Sequence, residues 1–371
     1  MHGSVEGVLG DWHSYSDFVQ CGTDSIDDAM NADHDRASGS HVAASGFDVL
    51  SEVLRCVRLT GSMLFLVDAH APWMSWAPNA EAFRRAVLPA SQHLISYHIV
   101  TQGGCWAGLR DTPCERFETG DVLVVPHGDA YYLADPADAE AVYGPEEALA
   151  FFRSMAAGEL PSIVSEGASG GEATQFICGF LGCDLRPCNP VLDSLPAMVH
   201  LRGANRSSDR MRHLIEFALC ELREPSSGGR GVLLRLAELM FVEVVRRHLE
   251  TMADVQAGWL AGLHDPLVAR TLSLLHSAPA AHWTLQDLAA QAGTSRSVLA
   301  ERFTQFVGQP PIQYLTQWRM QLATRLLAGP GSSKVAAVAQ AVGYESEAAF
   351  SRAFKKSVGM APAAWRLRGA A

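Results

Sequence analysis

The sequence predicts an α+β protein of several domains, with a small β-barrel first, a helical hairpin next and an all-helical module last. Short β-rich runs between Gly, Pro and Asp turns fill residues 47–200, which is the pattern of a barrel or sandwich. Two segments with apolar residues at helical spacing follow within residues 201–262. From residue 263 to residue 371 the apolar period stays helical, and Gly and Pro stand where helices are expected to end.

Charge is divided unevenly along the chain. Residues 262–371 hold 11 Lys and Arg against 5 Asp and Glu, a net charge of +6, whereas residues 1–261 hold 18 against 35, a net charge of −17. A basic module on an acidic body is typical of a DNA-binding domain joined to a domain that binds no polyanion. Residues 1–46 are rich in Gly, Ser, Asp and His without apolar periodicity, so we expect a disordered leader there.

The sequence shows no sign of a membrane or secretion segment. It has no run of 18 apolar residues, and its first 20 residues carry Glu6, Asp11 and Asp17 in place of an apolar signal segment. We therefore expect a cytoplasmic protein that does not enter a membrane. Eight cysteines are spread irregularly over the chain, so we expect them to be mostly reduced.

The first two regions contain recognisable elements. Residues 63–67, 93–100 and 121–125 are β-rich and bounded by turn residues, and we expect them to be strands. Residues 208–223 and 232–251 carry apolar side chains at helical spacing around a loop of Pro, Ser and Gly, which predicts a helical hairpin.

The helical module contains one motif twice. In each copy a short apolar helix ends at a glycine, Gly293 or Gly343, and a second helix begins with a serine, Ser295 or Ser346. A capping-box pattern opens the first copy at residues 284–287. The offset between the copies is 50 residues before the turn and 51 after it, as the following pairs show: Leu285 and Val335, Leu288 and Val338, Ala289 and Ala339, Ala292 and Val342, Gly308 and Gly359, Pro311 and Pro362, Tyr314 and Trp365.

Two helices joined by a tight turn, with an apolar inner face on the second, leave the outer face of that second helix free for the DNA major groove. Residues 312–327 predict a helix that separates the two copies rigidly. A plain helical bundle is the alternative for a single copy. A repeat that stays in register over many positions favours two helix-turn-helix units instead.

Four stretches of this module resemble the signature of the AraC/XylS family: Tyr314–Leu327, Val338–Tyr344, Phe350–Lys356 and Pro362–Arg366. The resemblance covers about the last 100 residues. It implies a sequence-specific domain that binds double-stranded promoter DNA and activates or represses transcription, usually through contact with RNA polymerase. It also implies an N-terminal domain for an effector or for dimerisation.

The motif positions indicate which residues meet DNA. Glu301 stands where a basic residue is often found, so it either reads a cytosine amino group or repels the backbone. Lys355 and Lys356 are expected at phosphates. The expected groove-facing residues are Arg296, Ser297, Ala300, Glu301 and Thr304 in the first unit, and Glu347, Ala348, Ser351 and Arg352 in the second.

Residues 48–200 resemble, less sharply, the cupin-like domain that precedes such modules. The resemblance lies in Pro72–Trp73, His98–Trp106, Gly120–Asp121 and Pro126–Asp129. Gly-Asp before a strand and Pro-x-Gly after it are turn signals that end a barrel strand. The resemblance implies a sensory barrel.

Metal-binding cupins usually offer a His-x-His pair, a Glu and a later His. In this chain His98 lacks its partner and Tyr131 occupies the late-His position, so we expect no metal cofactor. Inward-facing barrel positions can still line a ligand pocket. The candidates for small-molecule sensing are His98, Cys105, Trp106, His127 and Tyr131, and the alternative is that His98 and Trp106 are core residues with satisfied hydrogen bonds.

Cys178, Cys183 and Cys188 recur every five residues. This spacing is wider than that of a usual zinc pair, so a metal site needs a further ligand. A thiol switch that responds to an oxidant is the competing hypothesis, and idle thiols in a reducing compartment are the third.

Three functions follow from these observations. The first is a transcription regulator, not an enzyme, controlled by a small molecule or an oxidant. The second is a cupin-class metal-dependent enzyme with an accessory DNA-binding domain, and the third is a constitutive architectural DNA-binding protein. We also expect a homodimer formed through residues 200–252, because the hairpin shows more apolar surface than it can bury alone. Residues 263–371 are expected to fold and bind DNA by themselves.

Overall fold

The computed structural model describes residues 47–56, 59–110, 112–141, 143–167, 170–184, 189–203, 209–252, 258–328 and 334–369. The expected leader and Cys188 lie outside these residues. The first part of the described chain is β-rich, with these elements: α1 (Val49–Cys56), β1 (Leu59–His70), β2 (Trp73–Ala77), α2 (Ala80–Val87), β3 (His93–Gln102), β4 (Gly104–Leu109), β5 (Glu115–Glu118), β6 (Val122–Val125), β7 (Tyr131–Asp135), α3 (Pro145–Ala157), β8 (Ile163–Gly167), β9 (Ala173–Cys183), α4 (Pro190–Asp193) and β10 (Val199–Leu201).

The remaining described residues are helical. The hairpin and the C-terminal module consist of α5 (Arg210–Arg223), α6 (Gly229–Thr251), α7 (Trp259–Gly262), α8 (Pro266–Ser277), α9 (Leu285–Ala292), α10 (Arg296–Val307), α11 (Pro311–Ala328), α12 (Val335–Ala341), α13 (Glu347–Val358) and α14 (Pro362–Gly369). The predicted fold class is confirmed: a β-rich cupin-like part precedes a helical module with two helix-turn-helix units. No helix in the described part of the chain combines the length and apolar character needed to cross a membrane.

Two sheets form the β-rich part. The larger has the strand order β10-β6-β3-β9-β1-β8, and the smaller has the order β2-β7-β4-β5. Pairing is antiparallel except between β1 and β8, which run parallel. Apolar side chains from both sheets share one core together with Phe83 of α2 and Phe152 of α3.

Side chains on successive residues of a strand point to opposite faces of its sheet. On β3, Leu94 and Val100 belong to the core between the sheets, whereas Ile95, Tyr97 and Ile99 belong to a second core on the other face. The hairpin α5–α6 covers this second face through buried residues that include Met211, Ile215, Ala218, Met240, Phe241 and Val244. The hairpin therefore buries most of its apolar stripe within the chain.

The helix ends of the first unit follow the sequence pattern. Thr284 caps α9 in a capping box with Asp287, and Gly293 ends that helix with a φ of 74°. The Ser295 side chain accepts a hydrogen bond from the backbone N–H of Val298 and so caps α10. In the second unit the Ser346 side chain caps α13 in the same way.

The short helix α7 joins the β-rich part to the first unit. The backbone N–H of Trp259 donates to the Ser194 hydroxyl at 3.1 Å, and its indole N–H donates to the Tyr314 hydroxyl of α11 at 2.9 Å. Gly258 also donates from its backbone N–H to the carbonyl of Phe306 in α10. A fragment that starts at residue 263 lacks these contacts.

A second set of contacts joins the two helix-turn-helix units. Arg319 of α11 donates to the backbone carbonyls of Pro279 and Ala281 at 2.7 and 2.8 Å, and its guanidinium lies 5.9 Å from the ring centroid of Tyr344. Gly343, in the turn of the second unit, lies directly against Ala280. We call these six residues the inter-unit clamp.

Replacing Gly343 by Ala is expected to lower the free energy of unfolding more than replacing Gly293 by Ala. Both glycines have positive φ, 82° and 74°, so each alanine introduces roughly 1–2 kcal/mol of backbone strain. A Cβ at Gly343 also lies 2.6 Å from the Ala280 carbonyl oxygen, whereas a Cβ at Gly293 meets no described atom within 4 Å. This contact is expected to cost a further ~1–3 kcal/mol. Urea unfolding of the full chain measures the loss of unfolding free energy in each variant. Equal losses would contradict the expected cost of the contact with Ala280.

Candidate nucleic-acid interface and ligand cavity

The two recognition helices, α10 and α13, present the residues that the sequence predicts to meet DNA. Their inner faces are anchored by buried side chains, which include Leu299 and Phe303 in α10 and Phe350 and Phe354 in α13. Each of the eleven predicted residues is on the accessible side. Arg296, Ser297, Glu301, Glu347, Ala348, Arg352, Lys355 and Lys356 are exposed, and Ala300, Thr304 and Ser351 are half-buried.

The two helices differ in free positive charge. Arg302 of α10 donates from Nε and from a terminal nitrogen to the Asp265 carboxylate, at 2.9 and 2.8 Å, and its guanidinium lies 4.9 Å from the ring centroid of Phe306. Asp265 in turn caps α8 by accepting from the backbone N–H groups of Leu267 and Val268. Arg302 is therefore engaged in the fold, and the second helix, with Arg352, Lys355 and Lys356, is the more basic surface.

A cavity of about 350 Å³ lies in the β-rich part, between the strands and α3. A space of this size accepts a small organic molecule. Strands from both sheets contribute to its walls. The lining residues are Phe65, Val67, Met74, Ser75, Trp76, Ala77, His98, Tyr131, Leu133, Tyr143, Glu147, Ala148, Phe151, Phe152, Val164, Ser165, Glu166, Phe176 and Cys178.

His98 and Tyr131, two of the five predicted sensing residues, meet in this wall. The His98 Nε2 atom lies 2.7 Å from the Tyr131 hydroxyl, and both side chains are buried. Burial lowers the pKa of His98 to about 3, so the imidazole is neutral at physiological pH. Its Nδ1 atom is buried without a hydrogen-bond partner among the described residues. A buried polar atom of this kind is costly unless a ligand or water completes it.

The sequence reasoning missed a carboxylate in the same cavity. Glu166 of β8 hydrogen-bonds with the Ser75 side chain of β2, and burial raises the pKa of Glu166 above its ordinary value. Alternation along β8 places Val164 and Glu166 on the side of the core. Ile163, which is exposed, stands beside the inward-facing Val164, so neither this alternation nor the pairing of β8 with β1 is visible in the sequence.

The other three predicted sensing residues do not line the cavity. Cys105 is buried in the core between the sheets, and burial raises its pKa to about 12. The ring of Trp106 lies under the guanidinium of Arg116, 5.8 Å from its centroid. His127 is exposed, and its Nε2 atom lies 2.8 Å from the Leu195 carbonyl oxygen.

The structure does not bring Cys178 and Cys183 together. An interval of five residues is odd, so alternation puts the two side chains on opposite faces of β9. Cys178 joins the core between the sheets and Cys183 the core beneath the helices. Burial raises the pKa of Cys178 well above its ordinary value and that of Cys183 to about 12. The thiolate is the reactive form, so neither thiol is activated. Over the described ranges no group of three or more His, Cys, Asp or Glu side chains is placed to hold a metal ion.

Comparisons with known proteins agree with this architecture. The family model described as Cupin matches residues 48–250, and the model described as Helix-turn-helix domain matches residues 288–368. An AraC-like transcription regulator of Streptomyces antibioticus is 35% identical over 290 residues, which cover 76% of this chain and 90% of that protein.

Two more distant likenesses cover different shares of the chain. The HTH-type transcriptional regulator AlkR of Acinetobacter baylyi is 26% identical over 86% of this chain and 99% of its own. The crystal structure of the DNA-binding domain of AdpA in complex with a target DNA is 31% identical, with a TM-score of 0.27, over 28% of this chain and 91% of that one.

A cupin-like domain followed by two helix-turn-helix units defines a DNA-binding transcription regulator. The chain belongs to the AraC-like family of these regulators. The resemblance to the AraC/XylS signature is therefore confirmed. Because the relatives are transcription regulators, they favour a regulator over the cupin-class enzyme.

Proposed function

We propose that this chain controls promoters in the cytoplasm in response to a small molecule that binds in the cavity of the cupin-like domain. The observation that carries the proposal is a cavity of about 350 Å³ whose wall contains the buried, hydrogen-bonded pair of His98 and Tyr131. The bound DNA is double-stranded, and contact with RNA polymerase is the expected route to transcription. A signal in the cavity would change promoter binding or activation.

The contacts between the parts of the chain support a route for that signal. The larger sheet carries the cavity on one face, and on the other it shares a core with α5, α6 and the first helix-turn-helix unit. Ser194, Trp259 and Tyr314 continue the connection through α7 to α11 by hydrogen bonds. A ligand that shifts the strands therefore acts on elements that position α10.

A small molecule is better supported than an oxidant as the signal. His98 and Tyr131 form a polar site in the cavity, whereas the described thiols at Cys105, Cys178 and Cys183 are buried and have raised pKa values. Cys188 lies outside the described residues, so the thiol hypothesis is tested by removing all the cysteines together.

Replacing His98 by Ala, or Tyr131 by Phe, is expected to abolish the response to the small molecule while leaving basal promoter binding intact. Each change breaks the hydrogen bond inside the cavity without touching the recognition helices. His127→Ala is the matched control, because His127 lies outside the cavity, and it should respond normally. Reporter transcription from the promoter measures the response. A variant with all eight cysteines replaced by Ser or Ala should also respond, and loss of the response there alone would establish thiol switching instead.

Replacing Arg352 by Ala is expected to weaken binding to the promoter site by ~1–3 kcal/mol and to leave binding to random DNA nearly unchanged. The reason is that an exposed Arg on the outer face of α13 is placed for a base edge. Lys356→Ala, at a phosphate, should weaken both alike and reduce the salt dependence. Fluorescence anisotropy on the two DNAs measures these losses. Equal losses for both variants on both DNAs would refute the assignment.

We infer a homodimer through the hairpin, although the hairpin exposes less apolar surface than its sequence predicts. Most apolar residues of α5 and α6 are buried or half-buried within the chain, but Phe217 and Leu239 remain 53% exposed each. Sedimentation of the full chain at micromolar concentration should show a dimer, and Phe217→Ser with Leu239→Ser should shift it to monomer. A monomeric wild-type chain would exclude this interface.

A further inference from the structure

The walls of the cavity carry negative charge without positive charge. Glu166 of β8 and Glu147 at the start of α3 are the acidic residues that line it, and the described lining includes no Lys or Arg. The histidine in the wall, His98, is neutral. Among the described lining residues an anionic ligand would find no countercharge, whereas a cationic ligand would find two.

Aromatic rings make up much of the remaining wall. The negative face of an aromatic ring attracts a cation. The ring of Trp76 already has a cation against it, because the guanidinium of Arg110 lies 5.5 Å from its centroid. The other aromatic side chains that line the cavity are Phe65, Tyr131, Tyr143, Phe151, Phe152 and Phe176.

We propose that the cavity binds a lipophilic organic cation, such as an amine or a quaternary ammonium compound, with its charged end against Glu166 and its apolar body against the aromatic walls. This inference rests on the proposed function in one respect, namely that the bound cation is the effector.

The desolvation of Glu166 supports this ligand class. A half-buried carboxylate is costly unless it has hydrogen bonds and an opposite charge. Ser75 supplies a hydrogen bond, and burial raises the pKa of Glu166 in the unliganded protein. A ligand ammonium group would supply the missing charge beside this partly desolvated carboxylate.

Three probes with one carbon skeleton test the inference: octylamine, octanol and octanoate. Isothermal titration of the full chain should show that the amine binds about ten-fold or more tightly than the alcohol, and that the carboxylate binds most weakly. In Glu166→Gln the amine should lose this advantage and bind within about two-fold of the alcohol. Retained binding of octanol shows that the cavity of that variant is intact.

Glu146→Gln is the matched control. Glu146 is exposed in the first turn of α3 and does not line the cavity, so this variant has the same net charge as Glu166→Gln and should keep the wild-type preference. The inference is overturned if octanoate binds as tightly as octylamine, if none of the three probes binds, or if Glu166→Gln keeps the preference for the amine.

Promoter binding, measured with and without each probe, separates this inference from the proposed function. If octanoate binds and changes promoter affinity, the sensing role stands and the cation preference fails. If octylamine binds with the expected preference but leaves promoter affinity unchanged, the ligand class stands and the sensing role fails.

Discussion

The larger sheet is buried on both faces, and the rest of the structure depends on this constraint. Alternation along β3 and β9 sends one set of side chains towards the cavity and the other towards the helices. A shift of either strand by one residue would exchange the two sets. The barrel, the hairpin and the first helix-turn-helix unit are therefore held in one arrangement by the register of a few strands, and any ligand that perturbs those strands acts on both sides of the sheet.

The helical module could be predicted from the sequence because the signals that end its helices are local. Helix ends are set by residues within one turn, and the caps at Thr284, Ser295 and Ser346 and the glycines that end α9 and α10 all stand where the pattern predicts them. The predicted outer faces of the recognition helices follow from the same period. Arg302 pairs with Asp265, and the two residues are 37 positions apart in the sequence. The sequence therefore could not show which Arg is free for DNA.

The cavity could be predicted only in part from the sequence, because strands that are distant in the sequence pair to form it. His98 and Tyr131 were predicted together from a family resemblance, but Glu166 lies on a strand that pairs with β1 about a hundred residues away. The helices α1 to α4 within the β-rich part were also not predicted. One of them, α3, supplies Phe151 and Phe152 to the cavity wall. The sequence therefore did not predict this side of the cavity.

The inter-unit clamp has a consequence for the geometry of the operator. Arg319 and Gly343 hold the second unit against the loop that precedes the first, which leaves α10 and α13 little freedom to move apart. Each base pair inserted between their targets moves the second target by about 3.4 Å and turns it by about a tenth of a helical turn. A rigid pair of recognition helices cannot follow that rotation unless the DNA is untwisted or bent, at an elastic cost of a few kcal/mol. We therefore expect the spacing between the two sequence elements to contribute to specificity beside the bases within them.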